Sequence, residues 1–245
     1  MAIAGLYKIF DHWHAQGTVW IYSDPHFGDK ELAVGQVHRP ADAEQIENIN
    51  RKVGRKDTLI ILGDIKDIEA VRKLRGYKIL IMGNHDSGAS NYKRQVVKGI
   101  YDKDKYTKEQ VIAEMRIKYP NWKITFNEDW AFESPFERWV VSADNMLFDE
   151  VYEGPLMISE KLILSHEPVD VPWAFNIHGH VHSRNHKNDK CHFNVCAEAI
   201  DFTPINFNQW MKQGHFSNIE TIHRSTIEKA TVRKKKRGGK KIYEV

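Results

Sequence analysis

Five short polar clusters, each closing an apolar run, constrain this chain more than any other feature. In order they read Ser23-Asp24-Pro25-His26, Gly63-Asp64-Ile65-Lys66-Asp67, Gly83-Asn84-His85-Asp86, Ser165-His166-Glu167 and Gly179-His180-Val181-His182. The runs before them are short, apolar and rich in β-branched residues, the pattern of buried strands. Polar side chains placed just past several strand ends put a ring of oxygen and nitrogen atoms along one sheet edge. A two-metal hydrolytic site requires such a ring.

The first three runs are Thr18–Tyr22, Thr58–Leu62 and Lys78–Met82. Between the first two, Ile46, Ile49 and Val53 recur three and four apart, which predicts a helix from Asp42 to Val53 with Asp42 as its N-cap. Ile68 to Leu74 predicts a shorter helix closed by Gly76. The order strand, helix, strand, helix, strand predicts a sheet covered by crossover helices. Residues 89–146 carry no catalytic-looking cluster and read as a helical insertion, with a helix over Thr107–Tyr119 capped by Thr107. It is either a cap beside the site or an excursion with solvated faces. Strands resume at Lys161–Ser165, Ala174–His178 and Cys191–Cys196, and Phe207–Lys212 predicts a last short helix. One domain over 1–228 and a basic tail over 229–245 are expected.

Charge is unevenly spread. The 245 residues carry a formal +3, yet Lys229 to Tyr243 holds eight basic residues and no acidic one, so the remainder is at −5. The tail is either a solvated end or an electrostatic contact for nucleic acid. Within the insertion, Tyr92–Lys123 has a surplus of five positive charges, and Ile124–Glu160 a deficit of eight. No apolar stretch approaches the ~20 residues of a membrane span, and the first residues lack the pattern of a signal peptide. A soluble, cytoplasmic protein without membrane partners is expected. Cys191 and Cys196, five apart on one strand, point to opposite faces, which argues against a disulfide between them.

The clusters offer seven ligands. Asp24 and His26, like His180 and His182, are two apart, so in extended chain each pair points one way. Asp64 has two oxygens and can bridge two ions; Asn84 offers an amide oxygen and His166 an imidazole. With one bridge they make two sites of four. No thiolate is needed, and the mixture suits Mn²⁺, Fe, Zn²⁺, Co²⁺ or Ni²⁺, with Mn²⁺ the leading expectation.

The order D-x-H, G-D-x-x-D, G-N-H-D, H, G-H-x-H resembles that of the calcineurin-like metallophosphoesterase superfamily, over about residues 18–88 and 146–205. The opening Ser23–Gly28, with Arg39-Pro40 downstream, looks most like its small bacterial and phage phosphoesterase branch. The resemblance implies an α/β fold of four layers, α/β/β/α, built on two mixed sheets. It implies that Asp24, His26, Asp64 and His182 hold one ion, and Asp64, Asn84, His166 and His180 the other. It further implies that His85 acts as general acid or substrate contact, with Asp86 orienting its ring. Two ions about 3.5–4 Å apart would acidify a shared water, and the resulting hydroxide would attack phosphorus in line.

Other residues keep two readings. Asp67 steadies a ligand histidine from behind or caps the helix at Ile68. Arg39 contacts substrate phosphate or lies on the surface. Asn84 also faces substrate. Cys191, His192 and Cys196 with His186 do not match zinc spacings and read as strand and loop residues. His12, His14, His38, His178, His215 and His223 receive no role.

The leading expectation is a metal-dependent phosphoric ester hydrolase acting on phosphodiester or nucleotide-type substrates. One alternative is a nuclease using the basic tail and the Lys-rich half of the insertion. The other is a non-catalytic scaffold, against which the complete ligand set counts.

Overall fold

The computed structural model describes residues 5–30, 39–126, 138–182, 188–215 and 219–220, so the basic tail, His38, His186 and His223 lie outside the described residues. After a 3-10 turn at Lys8–His14 come β1 (Val19–Tyr22), α1 (Asp42–Lys52), β2 (Thr58–Ile61), α2 (Ile68–Val71) and β3 (Tyr77–Ile81). The insertion holds α3 (Ala89–Tyr92), β4 (Val96–Asp102), α4 (Lys108–Lys118), β5 (Lys123–Phe126) and β6 (Arg138–Asp144). Then follow β7 (Glu150–Tyr152), β8 (Leu156–Ser159), β9 (Leu162–Ser165), β10 (Phe175–His178) and β11 (His192–Asn194). A 3-10 turn at Ala197–Ile200, β12 (Ile205–Asn206) and α5 (Phe207–Lys212) complete the described order.

Two mixed sheets form the body. The first runs β12-β1-β2-β3-β7, parallel except for β12; the second runs β11-β10-β9-β8, parallel except for β8. Alternation along the strands assigns the faces. Val19, Ile21, Ile60, Leu62, Ile79 and Ile81 turn toward Leu162, Leu164, Phe175 and Ile177 of the second sheet. Tyr22, Leu59, Ile61 and Leu80 turn the other way, onto Ile46 and Ile49 of α1 and Ala70 and Val71 of α2. β1 and β2 read as continuous apolar runs because both faces of the first sheet are covered.

The far face of the second sheet is a buried polar row, Ser165, Asn176, His178, His192 and Asn194. Loops satisfy it: Val169 N donates to Asn176 Oδ1 at 2.9 Å, and Asn194 Nδ2 to Val181 O at 2.7 Å. The predicted cap of α1 shifts by one residue. Ala41 is the N-cap of α1, and Asp42, inside the helix, accepts from Gly28 N at 2.8 Å.

The insertion is helical only in part. Its helix carries the expected Thr107 cap, completed by Gln110 into a reciprocal capping box. Around it the antiparallel strands β4-β6-β5 form a third sheet, whose Val141 and Ala143 pack on Val111 and Met115 of α4. One face each of β4 and β6 is open to solvent and interrupted by charge, as at Lys98 and Arg138, so neither strand presents the apolar run of a buried strand.

Candidate metal centre

The parallel strands β1, β2, β3, β9 and β10 all deliver their C-terminal ends to one edge. Short backbone bonds hold the loops there together: Asp24 N to Gly63 O at 3.2 Å, His26 N to Asp64 O at 2.9 Å, and Gly179 N to His166 O at 2.8 Å. Asp24, His26, Asp64 and His180 all have positive φ, between 42° and 67°. Non-glycine residues adopt this region at a cost, and such strain concentrates at functional sites. Two glycines permit the crowding. A Cβ on Gly63 would lie 2.5 Å from Gly83 N, and one on Gly179 would lie 1.9 Å from Ser23 Oγ.

All seven sequence-predicted ligands converge. His26 Nε2 lies 3.9 Å from Asp24 Oδ1 and 3.3 Å from Asp64 Oδ2, and His182 Nε2 lies 3.8 Å from Asp24 Oδ1. On the other side, His166 Nε2 lies 3.4 Å from Asp64 Oδ2, 2.8 Å from Asn84 Oδ1 and 3.2 Å from His180 Nδ1. Asn84 Oδ1 is 3.1 Å from His180 Nδ1. Two atoms bound to one ion at ~2.1 Å are about 3.0–3.4 Å apart for octahedral or tetrahedral angles. Three of the four distances in the second group fall in this window, and the fourth, His166 Nε2 to Asn84 Oδ1, is shorter at 2.8 Å. Asp64 Oδ2 stands between the groups. Asp24 also joins both clusters of close ligand atoms, one with His26 and His182 and one with Asp64 and His166.

The donor set fits divalent cations on its own terms. Asp24, His26, Asp64 and His166 are buried, and among the described residues neither ring nitrogen of His26 makes a hydrogen bond of good geometry, although Nδ1 lies 3.4 Å from Asp29 Oδ2. Buried polar atoms of this kind are costly unless something pairs with them. Burial pushes the Asp64 carboxyl upward, but the imidazoles of His26 and His166 and the His85 N–H outweigh it and hold its pKa at about 2. His166 Nδ1 is fixed by the Leu62 carbonyl at 2.8 Å, which turns Nε2 into the centre. Cys196 Sγ donates to Asp24 Oδ2 at 3.1 Å, and burial drives its pKa well up, so it remains a thiol. The outer rim is open, for Asn84, His85 and His180 are exposed.

Several expected roles change. Asp86 does not orient the His85 ring through its bonded carboxylate. Its oxygens accept the backbone N–H groups of Gly83 and Asp64, both at 2.9 Å, and of Ile65 at 3.0 Å. It clamps the loop after β2 to the loop after β3. The His85 ring instead lies edge-on to His26, 5.5 Å between centroids, while the His85 backbone N–H donates to Asp64 Oδ1 at 3.0 Å. Arg39 is neither a phosphate contact nor a surface residue. Its buried guanidinium pairs with Glu198 and donates to the carbonyls of Asp24 at 2.7 Å and Pro25 at 2.5 Å. Asp67 caps α2, accepting from Glu69 N at 2.9 Å.

Glu198 was missed. It is buried, and His182 Nδ1–H donates to its Oε2 at 3.2 Å, so it orients a candidate ligand while neutralising Arg39. The available signal was a lone carboxylate within the apolar run Val195–Ile200. Cys191 and Cys196 are both free, and His192 pairs with Asp170 at 3.1 Å and Asp189 at 2.9 Å.

No curated protein matches the chain. It is similar to the crystal structure of a protein of unknown function, AQ665 from Aquifex aeolicus, at 22% identity over 80% of this chain and 98% of that one, with a TM-score of 0.47. No helix among the described residues is long and apolar enough to cross a membrane. Residues 17–195 match the calcineurin-like phosphoesterase family, whose members act on phosphate esters with divalent metal ions. With that match over most of its length and two groups of candidate ligands at one sheet edge, the chain belongs to the calcineurin-like phosphoesterase family.

Proposed function

We propose that the chain hydrolyses phosphate esters, of phosphodiester or nucleotide type, at a centre of two divalent ions, with Mn²⁺ the preferred metal. Asp24, His26, Asp64 and His182 would hold one ion, and Asp64, Asn84, His166 and His180 the other, with Asp24 near enough to reach both. The observation that carries this reading is the place of Asp64 Oδ2, 3.3 Å from His26 Nε2 and 3.4 Å from His166 Nε2. A single carboxylate oxygen within reach of two imidazole nitrogens suits a bridge. When bound, the two ions supply Lewis acidity toward phosphoryl oxygens and an acidified water as nucleophile.

The protein's own residues do the rest. Asp86 fixes the loops that carry Asp64 and Asn84, so both ligands keep their places as the substrate enters. Leu62 O and Glu198 set the ring orientations of His166 and His182. His85 would give a proton to the departing alkoxide, a role that its exposure beside His26 supports. General acid help of this kind is worth ~10²–10⁴ in rate.

The test couples metal counting to turnover. Wild-type protein should bind two Mn²⁺ per chain by elemental analysis and cleave bis-p-nitrophenyl phosphate. Asp64→Ala should lower the metal count and abolish cleavage. His85→Asn should keep two ions and lose at least 10²-fold in turnover. A wild-type count below one, or near-normal turnover in His85→Asn, overturns the respective assignment.

A further inference from the structure

The opposite end of the first sheet carries charge that the metal centre does not use. α1 ends at Arg51-Lys52, and Val53-Gly54-Arg55-Lys56 leads from it into β2. α2 is followed by Arg72-Lys73-Leu74-Arg75-Gly76, which leads into β3 at Tyr77. Thr58 and Tyr77 are register partners, and Tyr77 N donates to Asp57 O at 2.8 Å, so the two basic turns lie side by side. They sit at the N-terminal ends of the strands whose C-terminal ends deliver Asp64 and Asn84. About 15 Å of strand separates the two edges.

Between these turns and Met146-Leu147 lies a cleft of about 450 Å³. Arg55, Lys73, Arg75 and Lys123 stand on its rim, all exposed, and none forms an ion pair with a described residue. Lys78 is buried at its base and donates to Val71 O at 3.3 Å and to Met146 O. Burial pushes the Lys78 ammonium down to about 8, with Arg94 and Arg72 adding to the effect against Asp149.

The nearby carboxylates are already engaged. Asp149 accepts Lys78 N at 2.8 Å and pairs with Arg94 at 2.6 Å. Asp57 accepts Thr18 N and Gly54 N, both at 2.8 Å, and Glu69 pairs with Arg72 at 3.0 Å. A second cleft of about 360 Å³ continues the strip, sharing Arg55 and Arg94 and adding Lys56, His12 and the partly exposed ring of Tyr77.

Helix dipoles account for Arg51, Lys52 and Arg72, which stand at helix C-termini. They do not account for Arg55, Arg75 or Lys123, which stand beyond them. Outside its tail the chain is net negative at −5, so four neighbouring cations without an ion pair among the described residues are a segregated feature. The leucines lining it, Leu74 and Leu147, are buried. It therefore offers no apolar wedge of the kind a membrane-surface site uses.

We propose that this strip binds the phosphate backbone of a single-stranded nucleic acid. The four rim cations would contact phosphates, and the Tyr77 ring would offer a face for base stacking. This does not depend on the chemistry at the metal edge.

The test is fluorescence anisotropy of a labelled 20-nucleotide single strand with the full chain at 50 and 200 mM salt. Four phosphate contacts give a salt slope near −3, or about 50-fold weaker binding across that range. A quadruple variant, Arg55→Glu, Lys73→Glu, Arg75→Glu and Lys123→Glu, should bind at least ten-fold more weakly and lose most of the slope. A tail variant, Lys234→Gln, Lys235→Gln, Lys236→Gln and Arg237→Gln, should retain the part of the slope that the rim supplies. If circular dichroism shows the Glu variant unfolded, the same four positions changed to Gln carry the same expectation. Wild-type affinity in the folded rim variant overturns the proposal. So does absence of strand binding at 50 mM salt, with or without binding of inorganic polyphosphate or phosphatidylserine vesicles.

Discussion

Removing the Glu198 carboxylate should damage the fold and the metal centre by separable amounts. The Arg39 and Glu198 side chains are each only 5% exposed. In Glu198→Ala the Arg39 guanidinium keeps the carbonyls of Asp24 and Pro25 but loses its counter-charge in a place water does not reach. Breaking a buried pair from one side costs about 3–5 kcal/mol. In a domain of this size that corresponds to a fall in Tm of about 10 °C. Arg39→Met placed in the same chain removes the orphaned charge, so the double variant should be more stable than Glu198→Ala alone, with a coupling above ~1 kcal/mol. Glu198→Gln keeps an acceptor for His182 Nδ1. It should therefore restore metal affinity more fully than stability, whereas Glu198→Ala should lose ~10–100-fold in affinity. Urea unfolding of metal-free protein reads the first effect, and Mn²⁺ calorimetry the second. A Glu198→Ala protein within 1 kcal/mol of wild type in urea would refute the reasoning, because Arg39 would then be solvated without its partner.

Three further outcomes are expected. Gly179→Ala forces a Cβ to within 2.3 Å of Asp24 Oδ2, so it should fold yet bind Mn²⁺ at least ten-fold more weakly by calorimetry; unchanged affinity would show that the loop yields freely. Iodoacetamide at pH 8 should add one group to the native protein, at Cys191, and two in denaturant, since Cys196 is buried with its pKa driven up; mass spectrometry counts them. Glu150 accepts from His12, Trp13, Tyr77 and Tyr152, and although burial raises its carboxyl pKa, these bonds outweigh it and lower the pKa overall. A depressed folded pKa adds stability above the ordinary Glu value and loses it as pH falls through the folded one. Glu150→Gln should thus cost ~1–3 kcal/mol at pH 7, and the gap should narrow below about pH 4; a pH-independent gap would contradict this.

The chain's order of apolar runs was enough to locate the strands that matter. β1, β2 and β3 are covered on both faces, so apolar residues dominate them, while β9 and β10 keep their apolar residues on the face toward the first sheet; in each case the polar residues that follow mark an exit from the core. The ligand set was legible for the same reason. Asp24, His26, Asp64, Asn84, His166, His180 and His182 each stand within a few residues of such an exit. The sheet of the insertion was hidden because its strands bury one face against a single helix, leaving Val96 and Ile100 in solvent.

What the chain order left open were the roles set by partners distant in sequence. Asp86 sits beside His85, and adjacency suggested a pair, but only the fold sends its oxygens to the N–H groups after β2 and β3. Arg39 and Glu198 are 159 residues apart and meet only because β1 and the turn after β11 end side by side. The basic turns before β2 and β3 form one strip only through parallel pairing of those strands. Local pattern specifies which residues leave the core, because burial acts on each residue where it stands. Which of them then face one another depends on strand order, a property of the folded sheets that no stretch of a few residues contains.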